Sequence, residues 1–249
     1  CKGRFGAPCS LPRGVMNQQP IEKRVAPGTP VQVHSIFHTI QGEGPFCGTP
    51  AVFIRLAGCN LQCPACDTDY TSSRANLQVS LILEEVGKFA KSGLVVITGG
   101  EPFRQDINKL IRALVDAGYY VQIETNGSLP PPDYFAFHNR IDMRHGAYIV
   151  VSPKAGKVHP RTAREACCFK YVMNAVDIDH TDGLPTRALL HPCTKLARPP
   201  EGYSGPIYLQ PQDDKNDTVN FNNLRACVNS CMKHGYILQL QVHKIIGME

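Results

Sequence analysis

Residues 59–68 read CNLQCPACDT, which sets Cys59, Cys63 and Cys66 in the spacing C-x3-C-x2-C with no fourth cysteine close behind. A disulfide takes two thiols, whereas a structural zinc or an electron-carrying iron–sulfur cluster takes four ligands. Three thiolates on a four-iron cluster leave one iron open, and that iron can bind a cofactor or a substrate directly. Zinc remains an alternative if Cys47, His34 or His38 supplies a fourth ligand.

Working outward, the cysteines follow the β-rich run Ala51–Leu56, itself separated from Val31–Thr39 by the turn-rich IQGEGPFCGTP. Downstream, Leu81–Ala90 has helical spacing, LVVIT (94–98) reads as a strand ending at GGEP, and Ile107–Ala117 is an amphipathic helix closed by Gly118. YYVQIET (119–125), Ala147–Val151, Phe169–Met173, Ile207–Gln210 and Ile237–Leu240 read as further strands, Phe221–His234 as a helix, and 174–206 as mostly loop. Alternating strands and helices argue for a parallel α/β sheet. Polar or glycine-rich groups follow the strand ends repeatedly: CNLQCPAC, GGEP (99–102), TNG (125–127), SPK (152–154) and QPQD (210–213). In a parallel sheet those ends share one face, so five distant segments should converge.

At 249 residues the chain fits one large domain, and 43% hydrophobic with 19% charged residues describes an ordinary globular protein. A net charge of +5 suits an anionic small molecule, and no basic run with interleaved aromatics marks a nucleic-acid partner. Eleven cysteines, an odd number without the spacing of a secreted scaffold, point to a reducing, cytoplasmic compartment with metal or redox use. Apolar runs such as Leu94–Thr98 and Tyr148–Val151 are too short to span a bilayer. Residues 1–15 lack apolar periodicity, so translation is expected to start at Met16, with 1–30 a leader without fixed structure and 31–249 the core domain. Among the remaining cysteines, Cys167, Cys168, Cys227 and Cys231 read as packed small hydrophobes.

The cysteine spacing followed by GGEP after a strand resembles the radical S-adenosylmethionine (SAM) enzymes. The resemblance implies an incomplete barrel of about six parallel strands with few helices. It also implies a [4Fe-4S] cluster on Cys59, Cys63 and Cys66, with SAM bound to the open iron and cleaved reductively to a carbon radical. Its SAM contacts would be Ala65, Cys66 and Asp67, then Gly100 and Glu101, then Ser152, Pro153 and Lys154, and finally Gln210, Pro211, Gln212 and Asp213. Gly99 and Gly100 would let backbone approach the methionine moiety closely.

FHTIQGEG, AVFIRLAGCNLQCPACDTDYT, IETNG, LQPQD and the closing QVHKIIGME are similar to one branch of that family. That branch contracts the ring of 6-carboxy-5,6,7,8-tetrahydropterin with loss of ammonia, on the way to 7-deazapurines such as queuosine. The resemblance places Ile40, Gln41, Gly42 and Glu43 on the pterin, Arg55 on its carboxylate, Thr98, His243 and Glu249 around it, and Thr68 on a Mg2+ ion. Lys244 would stand beside them. It further implies a homodimer and an electron donor such as flavodoxin or ferredoxin. Two other readings stay open here: an activating enzyme for a glycyl-radical protein, and a noncatalytic zinc or electron-transfer module, which metal content would separate.

Overall fold

Period-two alternation along buried strands decides the architecture. The structure, a computed structural model, describes residues 16–89, 91–136, 146–193 and 195–248. Among these residues nine strands build one sheet: β1 (Val31–Ile40), β2 (Pro50–Leu56), β3 (Ala75–Leu77), β4 (Leu94–Gly99), β5 (Tyr120–Thr125), β6 (Ala147–Val151), β7 (Ala166–Met173), β8 (Ile207–Pro211) and β9 (Ile237–Leu238). Their order is β3-β1-β2-β4-β5-β6-β7-β8-β9, parallel from β2 to β9. The sheet is therefore the partial barrel the motifs implied. β1, however, runs antiparallel to both β2 and β3. The connection from β1 to β2 is a short turn-rich loop with no crossover helix, and only an antiparallel pair can be joined that way.

Val52, Ile54 and Leu56 on β2, Val95 and Ile97 on β4, Val121 and Ile123 on β5, and Phe169 and Tyr171 on β7 belong to one buried cluster with four helices. Those helices are α1 (Val79–Gly87), α2 (Asn108–Asp116), α3 (Pro160–Glu165) and α4 (Asp217–His234), while α5 (Val242–Ile245) buries no residue. Ile82 and Val86 of α1 and Leu110, Ile111 and Leu114 of α2 are fully buried, each worth about 1.5–3 kcal/mol of transfer free energy. The alternate residues face the other side. At its strand N-terminal end that inner face is apolar, with Phe46 and Phe53 packed on Ala51, Leu94 and Val96. Phe46 also meets Tyr120 and Tyr148, closing the barrel floor. Further along the strands the same face turns polar, which puts the site at their C-terminal ends.

Several boundaries differ from expectation. α4 begins at Asp217 rather than Phe221, because the Asn216 side chain caps it by accepting from Val219 N at 3.0 Å. α3 was not expected; His159 caps it and Pro160 stands at its first position, where a missing N–H costs nothing. α1 ends at Gly87, and residue 90 lies outside the described residues. The segment 174–206 holds no helix or strand among its described residues, yet Leu184, Ala188 and Leu196 are buried in the core. The expectation of an unstructured leader up to residue 30 needs correcting: Asn17 and Gln19 are buried, and Ile21 bridges Cys59. The packing there is polar, through hydrogen bonds of Asn17 and Gln19 to the cysteine loop. Residues 1–15, including the stretch ahead of Met16, lie outside the described residues.

Candidate active site

The three cysteines leave the end of β2 on a loop with little regular structure. Cys59 and Cys63 are buried, Cys66 is half-buried, and all three are free thiols. Burial, with smaller contributions from neighbouring cysteines, pushes the thiols of Cys59 and Cys63 up to about 12. Burial also raises Cys66, against hydrogen bonds from the backbone N–H and hydroxyl of Thr68. Such thiols stay neutral until a metal displaces their protons. Among the described residues no three His, Cys, Asp or Glu groups converge as a single-ion site requires, so Cys47, His34 and His38 do not complete a zinc site with these cysteines.

GGEP lies against this loop. A Cβ on Gly100 would collide with Gly58 O and Cys59 Cβ, and one on Gly99, whose φ is +126°, with the Leu56 backbone. The glycines are thus needed first for the close approach of β4 to β2 and the cysteine loop. Glu101 is fully buried: its carboxylate accepts from Phe103 N at 3.0 Å, Thr125 Oγ1 at 2.6 Å and Asn126 N at 2.8 Å. It locks the ends of β4 and β5 together, directly after Gly100. Ser152 is buried at the end of β6, and Lys154 Nζ donates to Ser152 O at 2.9 Å. Burial, with the Lys170 ammonium, pushes Lys154 down to about 8. At the end of β8, Gln210 Oε1 and Gln212 Oε1 are buried acceptors without partners among the described residues. They fit a ligand that brings donors. Asp213 is paired with Lys215, and Lys244 Nζ reaches both Asp213 and Asp67 at 3.3 Å, so α5 spans the mouth between β8 and the cysteine loop.

On the inner face, register sets Arg55 beside Thr98, and Thr98 Oγ1 donates to Glu124 Oε2 at 3.2 Å. The Arg55 guanidinium carbon lies 5.3 Å from the Phe37 ring centre, and its Nε and Nη1 are buried without partners among the described residues. Gln41 Nε2 donates to Glu124 Oε1 at 3.1 Å, as does Gln122 Nε2 at 2.9 Å. Glu43 does not stand free. It accepts from Gln241 Nε2 at 2.8 Å and is ion-paired with Lys170, which is itself 5% exposed. Gly42 has no room for a Cβ because His243 packs on it, and burial lowers the pKa of that imidazole. Ile40 ends β1 opposite Pro50, at the N-terminal end of β2, and on the loop that follows Gly44 N donates to Gln239 Oε1 at 2.8 Å. Glu249 lies outside the described residues.

The sequence reading missed Glu124, Gln122 and Lys170 inside strands, and Asn60 and Asn126, which hydrogen-bond across two strand ends at 3.0 Å. A signal existed. Parallel strands covered on both sides are normally apolar throughout, so Gln122, Glu124 and Lys170 at alternate positions are out of place unless they face a site. The segment 174–206 also reaches the site, with Leu189 O accepting from Ala65 N at 3.0 Å.

Three free thiols on the loop after β2, with the two glycines that end β4 packed against that loop, have the pattern of a radical SAM enzyme, and residues 53–176 match the Radical SAM superfamily. Such an enzyme carries a [4Fe-4S] cluster and SAM. The chain is 40% identical over 228 residues to the 7-carboxy-7-deazaguanine synthase of Rhodospirillum rubrum, covering 88% of this chain and 93% of that protein. It is 37% identical to the enzyme of that name from Rickettsia prowazekii, covering 89% and 90%, and 34% identical to that from Bacteroides thetaiotaomicron, covering 87% and 98%. The chain belongs to the 7-carboxy-7-deazaguanine synthase family. A crystal structure of QueE from Escherichia coli shares the fold with a TM-score of 0.63 at 24% identity, over 85% of this chain and 93% of that one. Membership sets aside the glycyl-radical activating enzyme and the zinc module. No helix of the described residues is long and apolar enough to cross a membrane.

Proposed function

We propose that the chain converts 6-carboxy-5,6,7,8-tetrahydropterin to 7-carboxy-7-deazaguanine by radical ring contraction with loss of ammonia, supplying 7-deazapurines such as the queuosine base. The observation that carries this is Arg55. On this half-buried side chain, Nε and Nη1 are buried without partners among the described residues, which asks for an anionic, planar acceptor, and a carboxylate supplies one. Thr98 and Glu124 stand beside it on the same inner face, so a molecule held by its carboxylate at Arg55 lies along a carboxylate acceptor suited to an aminopyrimidine edge. Gln41 reaches Glu124 on that face and Gly42 packs on His243, and Ile40 and Glu43 flank them as further pterin contacts in this reading.

Cys59, Cys63 and Cys66 would hold the cluster. Bound there, SAM supplies a carbon radical that removes and returns one hydrogen atom. Ala65, Cys66 and Asp67, Gly100 and the strand end fixed by Glu101, Ser152 to Lys154 and Gln210 to Asp213 form its bed, with the buried Gln210 and Gln212 oxygens as acceptors. Thr68 would offer its hydroxyl to Mg2+, which prefers oxygen ligands and keeps its waters. The terminal carboxylate of Glu249 is the remaining substrate contact in this reading. A homodimer, a flavodoxin or ferredoxin as reductant and a cytoplasmic location complete it.

The test is anaerobic. The protein is reconstituted with iron and sulfide, reduced, and given SAM, Mg2+ and the pterin, with Cys63→Ala as control. Product with little net loss of SAM, absent in the control, supports the reading. Cleavage of SAM to 5′-deoxyadenosine without that product rejects the substrate.

A further inference from the structure

Asn17 and Gln19 are only 6% and 8% exposed although they belong to no helix or strand. Asn17 N donates to Pro64 O at 2.8 Å, and Asn17 Nδ2 donates to Cys63 O at 3.2 Å and to the Tyr70 hydroxyl at 3.3 Å. Gln19 Nε2 donates to Thr68 O at 2.9 Å, while its Oε1 accepts from Tyr70 N at 2.8 Å and Thr71 Oγ1 at 2.9 Å. Gln62 Nε2 donates to Gln19 O at 2.7 Å, and Glu22 N to Cys59 O at 2.7 Å. The two side chains are tied to each other, Asn17 Oδ1 accepting from Gln19 N at 2.9 Å and Gln19 Nε2 at 3.1 Å.

These contacts fall on both sides of the thiols: on the backbone of Cys59, Cys63 and Pro64, and on the turn from Thr68 to Thr71. The loop supplies little of its own support: between residues 59 and 66, among those described, Cys66 N donates to Cys63 O at 3.0 Å and Leu61 N to Cys59 Sγ at 3.4 Å. A loop that must present three thiols to one cluster loses binding free energy if it first has to be ordered.

We propose that residues 17–22 are a strap that holds the three thiols in their cluster-binding arrangement before iron is loaded, with Asn17 and Gln19 as positioning residues. The inference rests on Cys59, Cys63 and Cys66 being the cluster ligands, and not on the identity of the substrate. A segment that merely covers the loop would bury surface without setting the mobility of the thiols.

Thiol reactivity in the metal-free protein separates the two. Apoprotein is alkylated anaerobically with iodoacetamide, and modification of each cysteine is followed by mass spectrometry. In an Asn17→Ala, Gln19→Ala double variant, Cys59 and Cys63 should react at least about tenfold faster than in the parent, since several buried hydrogen bonds that resist local opening are gone. Cys227 and Cys231, buried between α4 and the sheet, should keep their rates. Gln19→Met, which preserves length without the hydrogen bonds, should shift the same two cysteines in the same direction. Unchanged rates at Cys59 and Cys63, or an equal acceleration of Cys227 and Cys231 in both variants, would overturn the proposal. No pterin is present, so failure of the proposed reaction leaves this result standing.

Discussion

Lys170 on β7 is ion-paired with Glu43, a residue 127 positions earlier on the loop after β1. Burial alone would push both groups toward neutrality, but each offsets the other: the Glu43 carboxyl is held below its usual range and the Lys170 ammonium above its own. Through Gln241 the pair also fastens the segment entering α5, so it joins the β1 loop, a central strand and the C-terminal segment at the mouth of the site.

Removing one partner should be worse than removing both. Lys170→Met leaves a buried carboxylate uncompensated and should destabilise the fold by about 3–5 kcal/mol, while Lys170→Met with Glu43→Leu should recover much of that loss. Thermal unfolding of the two variants and the parent checks this.

The same pair sets a pH dependence. Glu43 has a depressed folded pKa, so its stabilisation is complete above the unfolded carboxylate range and is lost as pH falls below it. Lys170 has a raised pKa, so its share is complete below the ordinary lysine range and is lost only in strong alkali. Unfolding temperature should stay level on this account at neutral pH and fall on acidification, and the acid-side fall should be shallower in the double variant.

Arg55 should show in substrate affinity. Arg55→Ala should lower kcat/KM for the pterin by at least about a hundredfold, and Arg55→Lys should recover little of it, because an ammonium lacks the planar fork. Cleavage of SAM in the absence of pterin should change far less. A parent-like KM in Arg55→Ala would remove the residue from the substrate site.

At Gly100, an added methyl meets the Gly58 carbonyl and Cys59 Cβ, so Gly100→Ala should cost about 3 kcal/mol or displace the cysteine loop. Gly99→Ala adds an unfavourable positive φ and should be worse. Iron content after reconstitution, read with the unfolding temperature, reports both effects.

Iron and sulfide analysis should also sort the cysteines. Cys59→Ala, Cys63→Ala and Cys66→Ala should each abolish a stable cluster. Cys227→Ala should keep it, because that thiol is buried among the core residues that pack α4 on the sheet.

The sequence by itself determined the three-cysteine loop, the parallel α/β core and the set of strand-end segments. These are local signals: cysteine spacing, strand punctuation by glycine and proline, and helices closed by residues such as Gly118. Only the tertiary structure decided which polar side chains share the barrel interior. Lys170 reads as one charge in an apolar strand until the sheet sets it opposite Glu43, and Glu124 acquires its neighbours Gln41 and Thr98 only through register and loop closure. The strap at Asn17 and Gln19 was hidden for a related reason. Its packing is carried by hydrogen bonds to backbone groups of residues more than forty positions away, and such contacts leave no hydrophobic period in the chain to be read.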